Sequence, residues 1–361
     1  MRVTHLVRVA LALAVPIYAG NGAHRITSFD APGAGTGNGQ GTVPVGINAL
    51  GEITGSYSDA LTAHGFVRSA DGIITTFDPP NSFYTQAPGI NVEGTVCGYY
   101  FDGNSGMFRS FLRAPDGTFT VFDAPGAGGG TTGCPVGTFA SNINELGEIW
   151  GWYTDAACAG RGFLRAPGGK FTTVDPPGAA TTSGLGTITP TFAGLNSVGA
   201  GVGFFADIYD LEHGFVRAPD GKITEFDPPG SAGTYAASIN LWGEITGAYY
   251  DLSGLSHTFV RSPLGKFTTF DAPGAGTAGF PQGTTPSSNN IFGTTVGTYV
   301  DASNVFHGFV LTLLGAFTAI DVPSAGTGAG QGTTLTANND SGEVTGLYVD
   351  ANGASHGFLV K

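Results

Sequence analysis

The apolar and polar positions of this chain follow one pattern that returns seven times. Its first copy reads Ile-Asn-x-x-Gly-Glu-Ile-x-Gly-x-Tyr-x-Asp from Ile47 to Asp59, then His-Gly-Phe-x-Arg from His64 to Arg68. A second anchor, Phe-Asp-x-Pro, lies between copies and first appears at Phe29, Asp30 and Pro32. The Asp of that anchor falls at Asp30, Asp78, Asp123, Asp175, Asp227, Asp271 and Asp321, at intervals of 48, 45, 52, 52, 44 and 50 residues. Repeats of this length are the signature of propeller blades.

Each copy divides into four short strands. The first ends at an Asn (Asn48, Asn91, Asn144, Asn196, Asn240, Asn290, Asn339) that a Gly follows three residues later. Asn favours entry into a turn and Gly supplies a positive φ, which predicts a tight hairpin. The second strand carries a Gly two residues before an aromatic, as in Gly55 and Tyr57, and ends at an Asp. A bare Gly beside a ring predicts close packing there. The third strand carries Phe66, Phe111, Phe163, Phe215, Phe259, Phe309 or Phe358. Pairing Asp59 with His64 across the hairpin would set Tyr57 opposite Phe66.

A Gly turn then leads to a fourth strand, but only six copies have one. The seventh stops at Lys361, while the chain opens with an unattached strand from Ile26 to Asp30. A ring in which the N-terminal strand completes the last blade accounts for both and removes free sheet edges. The expected fold is therefore an all-β, seven-bladed β-propeller with four-stranded blades, spanning 26–361 as one domain.

Composition adjusts this picture in three ways. Gly 61 and Pro 21 are high, but they sit at fixed turn positions, so they do not signal disorder. A net charge of -13 with 11% charged residues offers no electrostatic footprint for nucleic acid or anionic lipid. Arg2 and Arg8 with the apolar run Val9 to Ala19 predict an export signal over 1–19, too short to anchor in a bilayer. The expected location is secreted, extracellular or periplasmic. Of Cys97, Cys134 and Cys158, the last two suit one disulfide in an oxidising compartment; three free thiols are the alternative.

The tripeptide His-Gly-Phe at 64–66, 213–215, 307–309 and 356–358 resembles the His-Ala-Phe of the HAF-type extracellular repeat proteins of bacteria. Arg109-Ser110-Phe111, Arg161-Gly162-Phe163 and His257-Thr258-Phe259 depart from it. The resemblance covers the chain after the signal. It implies secretion and brings no catalytic residues with it.

Candidate chemistry lies where loops share one face of a propeller. Asp59, Asp102, Asp155, Asp207, Asp251, Asp301 and Asp350 end the second strands, and seven more Asp end the fourth. Fourteen carboxylates beside His64, His213, His257, His307 and His356 suit Ca²⁺; alternatively each Asp caps its own loop. Departures from the repeat are stronger candidates. Trp150 and Trp152 share a face and would suit a sugar ring as an exposed pair. Arg109 and Arg161 replace His and would meet an anionic ligand or the Asp ring. The leading functional expectation is a non-catalytic binding or scaffold propeller with a saccharide or extracellular protein as partner. The alternative is a lyase- or hydrolase-type enzyme, metal-assisted, using His213, Glu212, Asp207 and Arg161.

Overall fold

Alternation with period two and a Gly at each turn produces short antiparallel meanders throughout. The computed structural model describes residues 25–128, 136–189 and 194–361; the expected export signal and Cys134 lie outside these. Among the described residues there are 28 strands, which fit seven units of four. Among these residues no helix is long and apolar enough to cross a membrane.

The chain begins with β1 (Ile26–Phe29) and continues through β2 (Gly41–Ile47), β3 (Ile53–Ser58), β4 (Ala63–Arg68) and β5 (Ile74–Phe77). Strands β2 to β5 form unit 1, each pairing antiparallel with the next. Units 2 to 6 repeat this over 82–122, 138–174, 186–226, 233–270 and 283–320. Unit 7 supplies three strands over 332–360, and β1 pairs with the last, Ser355–Val360, in the register Ile26 to Val360. The unattached first strand therefore lies where the pattern placed it.

The register across the second hairpin differs from the expected one by two residues. Tyr57 pairs with His64, and Gly55 pairs with Phe66. The cause lies in the loop. The Asp59 side chain accepts the N–H groups of Leu61 and Thr62, which keeps Asp59 in the turn and starts the ladder at Ser58 and Ala63. Tyr57 consequently stacks on His64, with ring centroids 5.0 Å apart. The expectation of close packing at the Gly holds. A Cβ on Gly55 would clash with the Val43 carbonyl and lie 3.0 Å from the Phe66 ring.

The core lies between neighbouring units. One cluster joins Phe122 of unit 2 to Ile149 and Phe163 of unit 3, and another joins Phe226 of unit 4 to Phe259 of unit 5. Leu359 of unit 7 packs with Ile53 and Phe66 of unit 1. The third-strand Phe of every unit is at most 1% exposed. Each contributes about 1.5–3 kcal/mol of burial.

Three further devices tie unit to unit. Gly41 has φ +117 and sits against the Ser355 backbone of unit 7, where any side chain would clash. In units 1, 2, 3 and 5 the Arg that closes the third strand lies over the anchor Phe of the preceding unit. Arg68 is 5.0 Å from the Phe29 centroid, Arg113 is 4.9 Å from Phe77 and Arg165 is 4.6 Å from Phe122. Finally, the hairpin Asn does more than enter a turn. The Asn48 side chain accepts the N–H groups of Leu50 and Glu52, and its amide donates to the Asn91 carbonyl at 2.9 Å. Asn144, Asn196, Asn240 and Asn290 make the same amide bond to the Asn of the next unit, and Asn339 makes it to Asn48.

Cys158 is disulfide-bonded. Cys97 is free and buried, and that burial pushes its thiol pKa up.

Candidate functional site

The acidic positions are arranged unit by unit. In unit 1, His64 lies between two carboxylates, with Nδ1 2.6 Å from Asp78 and Nε2 3.5 Å from Asp59. The same set recurs as Asp207, His213 and Asp227, as Asp251, His257 and Asp271, and as Asp301, His307 and Asp321. The last is Asp350, His356 and Asp30, with the Asp supplied by the residue after β1. Arg109 replaces His between Asp102 and Asp123, and Arg161 between Asp155 and Asp175. Each Arg thus pairs with two Asp of its own unit.

In these sets the second-strand Asp is primarily a loop cap. One Asp350 oxygen takes the N–H groups of Asn352 and Ala354, while the other faces His356 at 3.6 Å. In Asp59, the Thr62 and Leu61 amides hold the carboxyl below the usual range, with His64 adding to them. Burial opposes charge on His213, but Asp227 and then Asp207 outweigh it and raise its pKa. Burial likewise opposes charge on Arg161, and the Asp155 and Asp175 carboxylates outweigh it. A Ca²⁺ ion takes six to eight oxygens. Among the described residues no group of three or more His, Cys, Asp or Glu is arranged to hold a metal ion.

The four residues weighed as a catalytic group are divided. His213 and Asp207 line a cavity with Asp227, Phe205 and Glu225. Glu225 has no acidic counterpart: the residue opposite the third-strand Phe is Thr76, Val121, Thr173, Thr269, Ala319 or Ser28 elsewhere. Glu212 instead accepts a hydrogen bond from Tyr235 of the next unit; burial and this bond together push the Tyr235 phenol up. Arg161 belongs to the preceding unit and is engaged with its own two Asp.

The two Trp residues also part company. Trp150 is 0% exposed. Its indole N–H donates to the Val202 carbonyl at 2.9 Å, and its ring fills the space over Gly201 of the next unit, where a Cβ would lie 2.8 Å away. It is an inter-unit core residue, so the exposed indole pair does not form. Trp152 stacks on its cross-strand partner Phe139, with centroids 4.3 Å apart and planes 14° from parallel.

Trp152 opens onto the most distinctive feature of the molecule, a cavity of about 600 Å³ lined by first and second strands of units 2 to 6 and by Phe108 from the third strand of unit 2. One wall is an arc of rings. Tyr99 lies 5.2 Å from Phe139 and 6.0 Å from Phe108, and Phe108 lies 5.1 Å from Phe139. Phe204 and Tyr235 extend the arc, 4.8 Å apart. The small residues Ala236, Ala237, Ala248, Thr285 and Pro286 complete the lining, Ala248 as the cross-strand partner of Tyr235. The cross-strand pair at this level reads Val43 and Ser56, Gln86 and Tyr99, Phe139 and Trp152, Ile188 and Phe204, Tyr235 and Ala248, Thr285 and Thr298, then Thr334 and Leu347. Sequence reasoning found Trp152 and missed the rest. The signal was present in the residue before the repeated aromatic, which changes from copy to copy.

No family model matches the chain, and no curated protein matches it. Among solved structures it is similar to virginiamycin B lyase from Staphylococcus aureus, at 14% identity and a TM-score of 0.58 over 94% of this chain and 99% of that one. It is also similar to the β-propeller domain of the Trilobed protease from Pyrococcus furiosus, at 8% identity and a TM-score of 0.59 over 90% and 95% of the two chains. The BP39L lectin from Burkholderia pseudomallei matches at 12% identity and a TM-score of 0.52 over 93% and 96%. At these identities the likeness speaks for fold alone: the protein is an all-β chain with β-propeller neighbours.

Proposed function

We propose that the chain is a secreted, closed seven-bladed propeller of the HAF-repeat type, and that it binds a ring-bearing ligand in its central cavity without transforming it. The pairing of β1 with the last strand and the Asn bond from unit 7 to unit 1 support closure. The observation that carries the binding reading is the aromatic wall, because it interrupts a repeat that the rest of each unit obeys. Apolar cavities of this size with a few placed polar groups are the usual form of small-molecule sites. Saccharides belong to the ligand classes to be tested, since sugars stack on rings such as Trp152 and one propeller neighbour is a lectin.

The test is a ligand screen read by calorimetry, with Thr285→Trp and Ala248→Phe as cavity-filling controls. Saturable binding that both controls remove supports the reading. Binding that neither control affects places the ligand elsewhere and sinks it.

The second reading, a lyase- or hydrolase-type enzyme, draws on the cavity beside His213. There Glu225 joins Asp207 and Asp227, and this acid is unique to unit 4. Turnover of any substrate lost in His213→Ala but kept in His64→Ala would favour it.

A further inference from the structure

We infer that the ligand of the central cavity is an uncharged, flat, largely apolar ring compound rather than a saccharide or an ion. This inference rests on the binding reading above and narrows its ligand class.

The first observation is electrostatic. The chain carries 14 Lys and Arg and 27 Asp and Glu, yet no charged side chain lines the cavity among the described residues. A charged ligand entering this space would lose part of its hydration without gaining a counter-charge, which disfavours it against an uncharged one.

The second observation concerns polar partners. A saccharide presents several hydroxyls, and each one buried without a partner weakens binding. The cavity has few groups to spare. The Ser141 and Thr189 hydroxyls bond to each other at 3.1 Å. Tyr84 already accepts from the Gln86 amide, and Tyr235 already donates to Glu212. The Tyr99 hydroxyl has no hydrogen-bond partner among the described residues and lies within the aromatic arc. Burial, aided by Tyr84, pushes its pKa up to about 12, so it remains a neutral phenol that can donate one hydrogen bond and accept another.

The third observation is shape. Phe139 covers one face of Trp152, which leaves the other face and the edge of the indole. Elsewhere in the lining the small side chains of Ala237, Ala248 and Thr285 leave room for a fused or linked ring system. Offset or edge-to-face contacts with such rings add to the gain from area burial.

The experiment uses the full chain and two fluorescent probes with one ring skeleton. N-phenyl-1-naphthylamine is uncharged; 8-anilinonaphthalene-1-sulfonate adds a sulfonate. A panel of neutral oligosaccharides is titrated beside them by calorimetry. The expected result is one saturable site for the uncharged probe, at least about tenfold weaker binding of the sulfonate and no saccharide heat. Trp152→Ala should weaken the uncharged probe about tenfold, equivalent to about 1.4 kcal/mol, and Tyr99→Phe by a smaller factor. Thr285→Trp, at an exposed position, and Ala248→Phe should each abolish binding; agreement between them separates cavity filling from misfolding.

Equal affinity for both probes, no binding of the uncharged probe, or a saccharide that the filling variants displace would overturn the ligand class. The last result would leave the cavity as the binding site. Probe binding that is indifferent to both filling variants would overturn the cavity reading as well.

Discussion

Two neighbouring residues on the second strand show how differently the repeat is maintained. Position 57 and its equivalents read Tyr57, Tyr100, Tyr153, Phe205, Tyr249, Tyr299 and Tyr348. Position 56 reads Ser56, Tyr99, Trp152, Phe204, Ala248, Thr298 and Leu347. The two side chains point to opposite faces of one sheet. Tyr57 packs against Ala31 and Leu359 of the preceding unit, a contact that each unit makes in the same way. Ser56 faces the following unit, where it accepts the Ala87 N–H. At the equivalent level of units 2 to 6 the space between first strands opens into the cavity. A side chain held between two copies of the same surface has one solution, repeated seven times. A side chain facing the cavity escapes that constraint, and its variation reports on what enters.

If that distinction is right, the largest losses of stability should come from repeated positions, with little dependence on the unit. Phe163→Ala and Phe259→Ala remove rings that are 1% and 0% exposed and should each cost about 3–5 kcal/mol in urea unfolding. Trp152→Ala should cost clearly less, because its ring is half-buried and faces open space. A Trp152 cost above the Phe163 cost would make the aromatic wall part of the folding core.

The next effect should come from the Asn belt, and here the comparison can be sharpened between units. Asn339 donates to Asn48 at 3.1 Å and to Glu343 at 3.0 Å, and its oxygen accepts from Ser341 and Glu343. Asn91 accepts from Thr95 at 3.0 Å and makes no such side-chain bond to Asn144. A net hydrogen bond contributes about 0.5–1.5 kcal/mol, so Asn339→Ala should cost about 3 kcal/mol and Asn91→Ala about 1 kcal/mol. Equal losses would mean that the bond from the last unit to the first adds nothing beyond a turn cap.

The strands, their turns and the displaced N-terminal strand were legible in the sequence because each rests on local rules: period two, an Asn entering a turn and a Gly at positive φ. The register of the second hairpin was not legible, because it depends on Asp59 spending an oxygen on two loop amides. Trp150 was misread as half of an exposed pair. Its burial depends on Gly201, some fifty residues away, leaving space in the next unit. The cavity was missed because its rings come from different units, and each ring alone resembles ordinary core. Reading position 56 down the seven copies would have found the asymmetry.

The smallest effects are expected at the acid–cation sets, and they decide whether unit 4 is special. Exposed ion pairs contribute about 0.2–1 kcal/mol, so His64→Ala and His213→Ala should each change stability by no more than that. The pH dependence has a definite sign. His213 is raised above its ordinary value by Asp227 and Asp207. Its contribution is then fully present below the unfolded pKa of about 6.5 and is lost as pH rises through the higher folded value. Asp207 is lowered, chiefly by the Leu211 amide, with Tyr209 and His213 adding to it. Its contribution is present above the unfolded pKa of about 3.9 and is lost as pH falls through the lower folded value. The stability difference between the unmodified protein and His213→Gln should therefore be greatest near pH 5–6 and shrink toward alkaline pH, about 5–6 being the interval between those two titrations. Thermal melts across that range check it. A difference that grows with pH would mean that His213 is held neutral in the fold, as a general base requires, and would separate unit 4 from the other six.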